Sequence, residues 1–289
     1  MSDAAPLFDL SARPDLGAPV LVVCLEGWID AGGAAASAAK SIITHGRSTT
    51  LAAFDTEQLL DHRARRPTMH LVEGVNAGLT WPSIELSSAY DTRDTPLLVL
   101  TGPEPDHNWR RFVQSVIDLA VEFDTRLVVS LGAYPAATPH TRPPHLSATA
   151  TSRELAEQVG FVNATLDIPA GVQAAIEHAC NDVDLPAIGV WAQVPHYAAG
   201  MPYPAASAAL LDGVRIVSGL EFDKTSLRDE ATEVRARLDD LVERNDDHAT
   251  HVRRLEEQDD AVRRAVEADL PSGDELAAEV ERFLRDQDD

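Results

Sequence analysis

The hydrophobic positions of this chain alternate between short runs and helical stripes from residue 20 to about residue 217. The first run, Val20-Leu21-Val22-Val23-Cys24-Leu25, has no polar position, which predicts a strand buried on both faces. An alanine-rich stretch follows and ends at His45-Gly46, a helix with a glycine stop. The pattern predicts further strands over 48–54, 69–72, 79–88, 97–101, 127–131, 146–150 and 187–194. Trp81-Pro82 marks an edge or bulge in the third of these. Helices are predicted over 108–123, 171–181 and 205–217. Two shorter ones start at the capping box Asp55-Thr56-Glu57-Gln58 and at a cap formed by Thr151 and Glu154. Residues 1–19, with Pro6, Pro14, Gly17 and Pro19, read as an extended arm.

Strands alternating with helices of this length predict an α/β domain over 20–222, built on a largely parallel or mixed sheet. Ligand sites in such sheets lie past the carboxyl ends of the strands, where the loops 26–33, 132–145 and 194–204 emerge. From residue 223 to residue 289 the pattern becomes charged and helical, a C-terminal extension. Leu227, Ala231, Val234, Leu238, Leu241, Asn245, His248, Val252, Leu255, Asp259, Val262 and Val266 keep a heptad spacing, a seam about 60 Å long in a continuous helix. Asn245, His248 and Asp259 weaken that seam, and Asn245-Asp246-Asp247 offers a hairpin turn instead. Arg235/Asp239, Asp240/Arg244 and Asp260/Arg264 are spaced as pairs on other faces of the helix.

Charge narrows the partners. The formal net charge of −23 argues against nucleic acid and against an anionic membrane surface. No apolar run approaches the roughly 18 residues of a membrane span, and residues 1–15 carry no export signal, so cytoplasm is the expectation. Cys24 and Cys180 stand in apolar contexts without CxxC spacing and read as buried thiols. Arg63-Ala64-Arg65-Arg66 is a small basic patch in an acidic protein.

The catalytic motifs are incomplete. Lys40-Ser41 lacks the glycines of a phosphate-binding loop, and Ser37/Lys40 lacks the partner motifs of a serine–lysine nucleophile. No cofactor is expected, and no metal set is evident. Six residues remain as binding or interface candidates: Trp28, Asp30, His140, Arg142, His196 and Tyr197. Asp30 stands where a helix N-cap belongs and is equally a potential base or cation ligand. Trp28, beside glycines, suits either ligand stacking or an interface. His140 with Arg142, and His196 with Tyr197, follow prolines in loops that can meet Asp30 at one cleft. The competing reading is that these polar groups close hydrogen bonds between loops or across a subunit contact.

Glu26-Gly27-Trp28-Ile29-Asp30-Ala31-Gly32, Pro139-His140-Thr141-Arg142-Pro143, and Pro195-His196-Tyr197 with Pro202-Tyr203-Pro204 resemble the proteasome-assembly-chaperone family, in its actinobacterial form, over about residues 20–285. That resemblance implies a three-layer α/β/α fold similar to the phosphorylase/hydrolase-like fold, with a helical C-terminal extension. It further implies a non-enzymatic assembly protein that forms a homo-oligomer, a trimer ahead of a dimer, with proteasome subunits as candidate partners. The alternative is a small-molecule hydrolase or phosphorylase-like enzyme whose cleft is formed by the three loops.

Overall fold

The structure of the chain, a computed structural model, describes residues 7–269 apart from 28, 46, 161–164 and 166. The elements run in the order β1 (Phe8–Leu10), β2 (Val20–Glu26), α1 (Ala34–His45), β3 (Thr49–Phe54), α2 (Thr56–Leu59), β4 (Thr68–Val72), β5 (Val75–Thr80) and β6 (Glu85–Tyr90). They continue with β7 (Pro96–Pro103), α3 (Trp109–Glu122), β8 (Leu127–Ala136), β9 (Leu146–Ala150), α4 (Arg153–Glu157) and α5 (Val172–Asn181). The last four are β10 (Ala187–Pro195), α6 (Pro204–Ser218), α7 (Thr225–Glu243) and α8 (Asp246–Asp269).

The eight-stranded sheet has the order β1-β3-β6-β7-β2-β8-β10-β9. Its centre, β7-β2-β8-β10, is parallel, and the strands outside it pair antiparallel. The sheet is therefore mixed, with a parallel core. The apolar run of β2 shows why there are three layers. Val20, Val22 and Cys24 pack into the core beneath α1 and α6, whereas Leu21, Val23 and Leu25 pack into the core beneath α3 and α5. Alternate side chains of a strand point to opposite faces, so an unbroken apolar run needs helices on both. The alanines of α1 (Ala34, Ala35, Ala38 and Ala39) are buried and small enough to let this helix lie close on the sheet beside α6.

Three local expectations change. The arm over 1–19 is not merely extended, because Phe8–Leu10 pairs with β3 as an edge strand. The strand predicted over 79–88 is two strands. β5 turns back on β4 to form a separate two-stranded ribbon, and β6 joins the main sheet after Pro82, which cannot donate to a ladder. The ribbon turn Glu73-Gly74 has positive φ at both residues (49° and 83°), the geometry that matches a hairpin's twist. Helix α4 is capped by Ser152, whose Oγ accepts from the Leu155 N–H at 3.3 Å, while the Thr151 hydroxyl bonds the backbone of Ala187.

Of the two readings of the heptad segment, the hairpin turn at Asn245-Asp246-Asp247 is the one the structure takes. Asn245 Oδ1 accepts from the N–H groups of Asp247 and His248 (2.9 and 3.3 Å), which caps α8 and ends the run from α7. Asp239 and Asp260 would lie about 30 Å apart on one straight helix. Yet they bond His140 and Arg142, two residues apart in one loop. The chain must double back, so α7 and α8 form a helical hairpin. The inner side of α7 (Leu227, Val234 and Leu238) joins the core beneath α6, and the buried Val252 and Leu255 belong to α8.

Candidate functional site

The three loops expected at the carboxyl end of the sheet do meet there. The strand-to-helix corner after β2 bridges β8 through Asp30 and Ala133. Gly32 donates its N–H to the Ala199 carbonyl at 2.8 Å and accepts from the Tyr203 N–H at 3.0 Å, tying the first loop to the third. Gly32 has φ of 67°, and a Cβ there would stand 2.7 Å from that of Tyr203, so glycine is required twice over. Asp30 caps α1 across a 3-10 turn: Oδ1 and Oδ2 accept from the N–H groups of Ala35 (2.7 Å) and Ala36 (3.1 Å). Burial raises its pKa, and these backbone bonds pull it back only in part.

The second loop is held by the helical hairpin. Tyr197 Oη accepts from the backbone N–H of His140 at 2.9 Å and lies 2.7 Å from His140 Nδ1. With that amide in one lone pair, the phenol proton points to Nδ1, which leaves Nε2 protonated and donating to Asp239 at 3.2 Å. Burial lowers the pKa of His140, outweighing the opposite pull of Asp239, so the ring is held neutral. Burial pushes the Tyr197 phenol up to about 12 and keeps it a donor. The His140 side chain is 1% exposed and that of Asp239 44%, so the imidazole is inside and the carboxylate stays at the water boundary.

The following residues continue the same attachment. Thr141 Oγ1 donates to Glu256 at 2.5 Å. Arg142 forks onto Asp260, with Nε and Nη2 each 2.9 Å from a carboxylate oxygen, and Glu256 stands 3.5 Å from its Nη1. The hydrogen bond from Arg142 lowers the pKa of Asp260. His145 Nε2 lies 2.5 Å from the buried Asp259, which also accepts from Arg263 at 3.1 Å. Asp260 bonds Arg142 with its carboxylate, and Arg264 reaches only its backbone carbonyl, so the pair expected along the helix face is replaced by one between hairpin and loop.

The candidate residues therefore separate. Asp30 closes a helix end, and His140, Arg142 and Tyr197 fasten loops to one another and to the hairpin. Exposed His196 sets Nδ1 3.4 Å from the Ala136 carbonyl and packs edge-on to His251. Trp28 lies outside the described residues. The residues that sequence reasoning passed over are Thr141, His145 and the four acids Asp239, Glu256, Asp259 and Asp260. The available signal was Asp259, a carboxylate in a hydrophobic seam.

A cavity of about 210 Å³ lies beside this junction, lined in part by His140, Arg142, Tyr203, Val234 and Arg235. Its imidazole and its Arg142 guanidinium already have partners, so it offers little polar chemistry to a ligand. Glu104, just past β7, places Oε1 2.6 Å from the Val172 N–H and occupies the start of α5 with the chain's own carboxylate. Burial raises the pKa of both Cys24 and Cys180, which disfavours thiolate chemistry. Among the described residues, no three His, Cys, Asp or Glu side chains are grouped to hold a metal ion. Among them, too, no helix is long and apolar enough to cross a membrane.

A mixed sheet sandwiched between helices, with loops laced to a C-terminal helical hairpin, defines a PAC2-type α/β fold. The PAC2 family model matches residues 24–242, and the chain belongs to that family. A Corynebacterium glutamicum protein of unknown function is similar at 27% identity and a TM-score of 0.85, over 90% of this chain and 99% of that one. A Mycobacterium tuberculosis protein of unknown function is 33% identical, with a TM-score of 0.85 over 92% and 93% of the two chains. A second Mycobacterium tuberculosis protein, a proteasome-assembly chaperone homologue, is 31% identical with a TM-score of 0.75, over 81% of this chain and 99% of that one. A search of curated proteins found no match.

Proposed function

We propose that the chain is a non-enzymatic, chaperone-like assembly protein that works as a homo-oligomer, a trimer ahead of a dimer, with proteasome subunits as its partners. One observation carries this reading. The side chains a small-molecule site would use are engaged within the chain: His140 (with Tyr197 and Asp239) and Arg142 (with Asp260) hold the helical hairpin on the loops, and Asp30 caps α1. Buried polar groups with closed hydrogen bonds stabilise and position structure, and they have little capacity left for substrate. The proteasome-assembly chaperone homologue at 31% identity supports the choice of partner.

The test mixes the full-length protein with purified proteasome α subunits and follows complex formation by size exclusion with light scattering. A stoichiometric complex is the expected result, and α subunits that elute alone at micromolar concentrations overturn the proteasome link. His140→Ala separates assembly from catalysis. Under the present reading it lowers the melting temperature, whereas an enzyme would keep its melting temperature and lose turnover. Trp28 is proposed as an interface residue, and Trp28→Ala shifts the protein toward smaller species.

A further inference from the structure

Between α2 and β6 the chain departs from the body as the β4–β5 ribbon, neither strand of which joins the eight-stranded sheet. Met69 stands opposite Leu79, and Val72 stands opposite Val75 at the tip. With Leu71 and Trp81 these side chains are 47–67% exposed. A lone two-stranded hairpin is marginal in water, and a contiguous apolar patch on a protein surface marks a place of association. The free edges of the ribbon are open to further pairing.

The charge around the ribbon selects the occupant. Arg63 and Arg66, at its base, are exposed, and among the described residues neither forms an ion pair. The whole chain carries −23, so these two cations are complementary to the rest of its own surface. The α7–α8 hairpin carries exposed apolar side chains, Leu241 and Val262, on helices whose exposed residues include Asp240 (paired with Arg244), Glu243 and Asp246. An apolar ribbon edged by unpaired arginines fits an acidic surface with apolar side chains among its carboxylates. We infer that the β4–β5 ribbon, with Arg63 and Arg66, is a self-association surface of this protein and docks on an acidic, partly apolar face of a second copy of the chain. This inference rests on the homo-oligomer reading and assigns it to a particular element.

Light scattering after size exclusion of the full-length protein tests it. The Met69→Thr/Leu79→Thr double variant removes apolar area while keeping β-propensity. Val121→Thr, on α3 and 62% exposed in the wild type, is the control. The wild type is expected at a multiple of 31.2 kDa, with the ribbon variant at 31.2 kDa and an unchanged circular dichroism spectrum. Arg63→Glu/Arg66→Glu is expected to raise the dissociation constant about tenfold, the measure of a modest charge contribution. Val121→Thr is expected to leave it unchanged. A wild type that stays at 31.2 kDa at every concentration overturns both this inference and the homo-oligomer reading. An oligomer that survives both ribbon variants with its dissociation constant unchanged overturns the ribbon alone. Hydrogen exchange on the wild type is independent of how the variants fold. Amides of 68–80 that are protected in the oligomer and lose protection on dilution support the ribbon, and rapid exchange in the intact oligomer overturns it.

Discussion

The junction between the loops and the helical hairpin and the β4–β5 ribbon are opposite solutions to exposure. At the junction, four donors from one short loop meet four acids from α7 and α8, and the polar atoms that define it are paired. In the ribbon, apolar side chains of two strands stand in water, and among the described residues no third strand lies beside them. Charge closed inside a chain indicates attachment of the chain to itself, while apolar surface left open indicates attachment to something else. Substitutions at the junction should therefore change stability, whereas those in the ribbon should change mass.

The largest expected effect is at Leu255, a residue of α8 that is 2% exposed. Leu255→Ala should cost about 2–4 kcal/mol by cavity formation, seen as early loss of α8 amide protection; an unchanged exchange profile would mean that α8 is not anchored by its apolar side. Next comes His145→Ala, which leaves the buried Asp259 with Arg263 alone and should cost about 1–3 kcal/mol. A double-mutant cycle with Asp259→Ala measures the coupling, and simple additivity would remove this pair from the junction.

Protonation tests the same region more gently. The pKa of His140 is lowered in the folded state, so the unfolded chain binds more protons as pH falls through 6.5. Stability from this group is thus present above the unfolded pKa and is lost as pH falls from there toward the lowered folded value. The slope is at most about 1.4 kcal/mol per pH unit. Chemical denaturation between pH 7.5 and about 5.5 should show a smaller slope for His140→Gln than for the wild type; equal slopes would place the proton elsewhere. The smallest effect is expected at the helix cap, where Asp30→Ala should cost about 1 kcal/mol in thermal melting without changing oligomer mass.

Much of the body was readable in the order of residues. The apolar run of β2 required two covering layers, the alanines of α1 required a close helix, and an aspartate just ahead of them suited a cap. Proline and glycine spacing also located the three loops that meet at one end of the sheet. The family resemblance read from those loops agrees with the match over residues 24–242. The junction was less readable, because heptad reasoning treats a polar seam position as a weakness. Asp259 is instead a contact point with His145, and Asn245 is the cap that reverses the helix. Alternation over 79–88 concealed a chain that changes sheets at Pro82.

By itself the sequence determined the local periods, the caps at Asp30 and Asp55 and the layered α/β class, because strand alternation, helix stripes and orphan amides act over a few residues. Only the tertiary structure decided which acids the loop donors would find. Asp239 and Asp260 come to neighbouring loop residues only because α7 and α8 fold back on each other. It also decided that β4 and β5 pair with one another and leave the main sheet. Pairing over long separations depends on which surfaces are already covered, and no short stretch of chain encodes that.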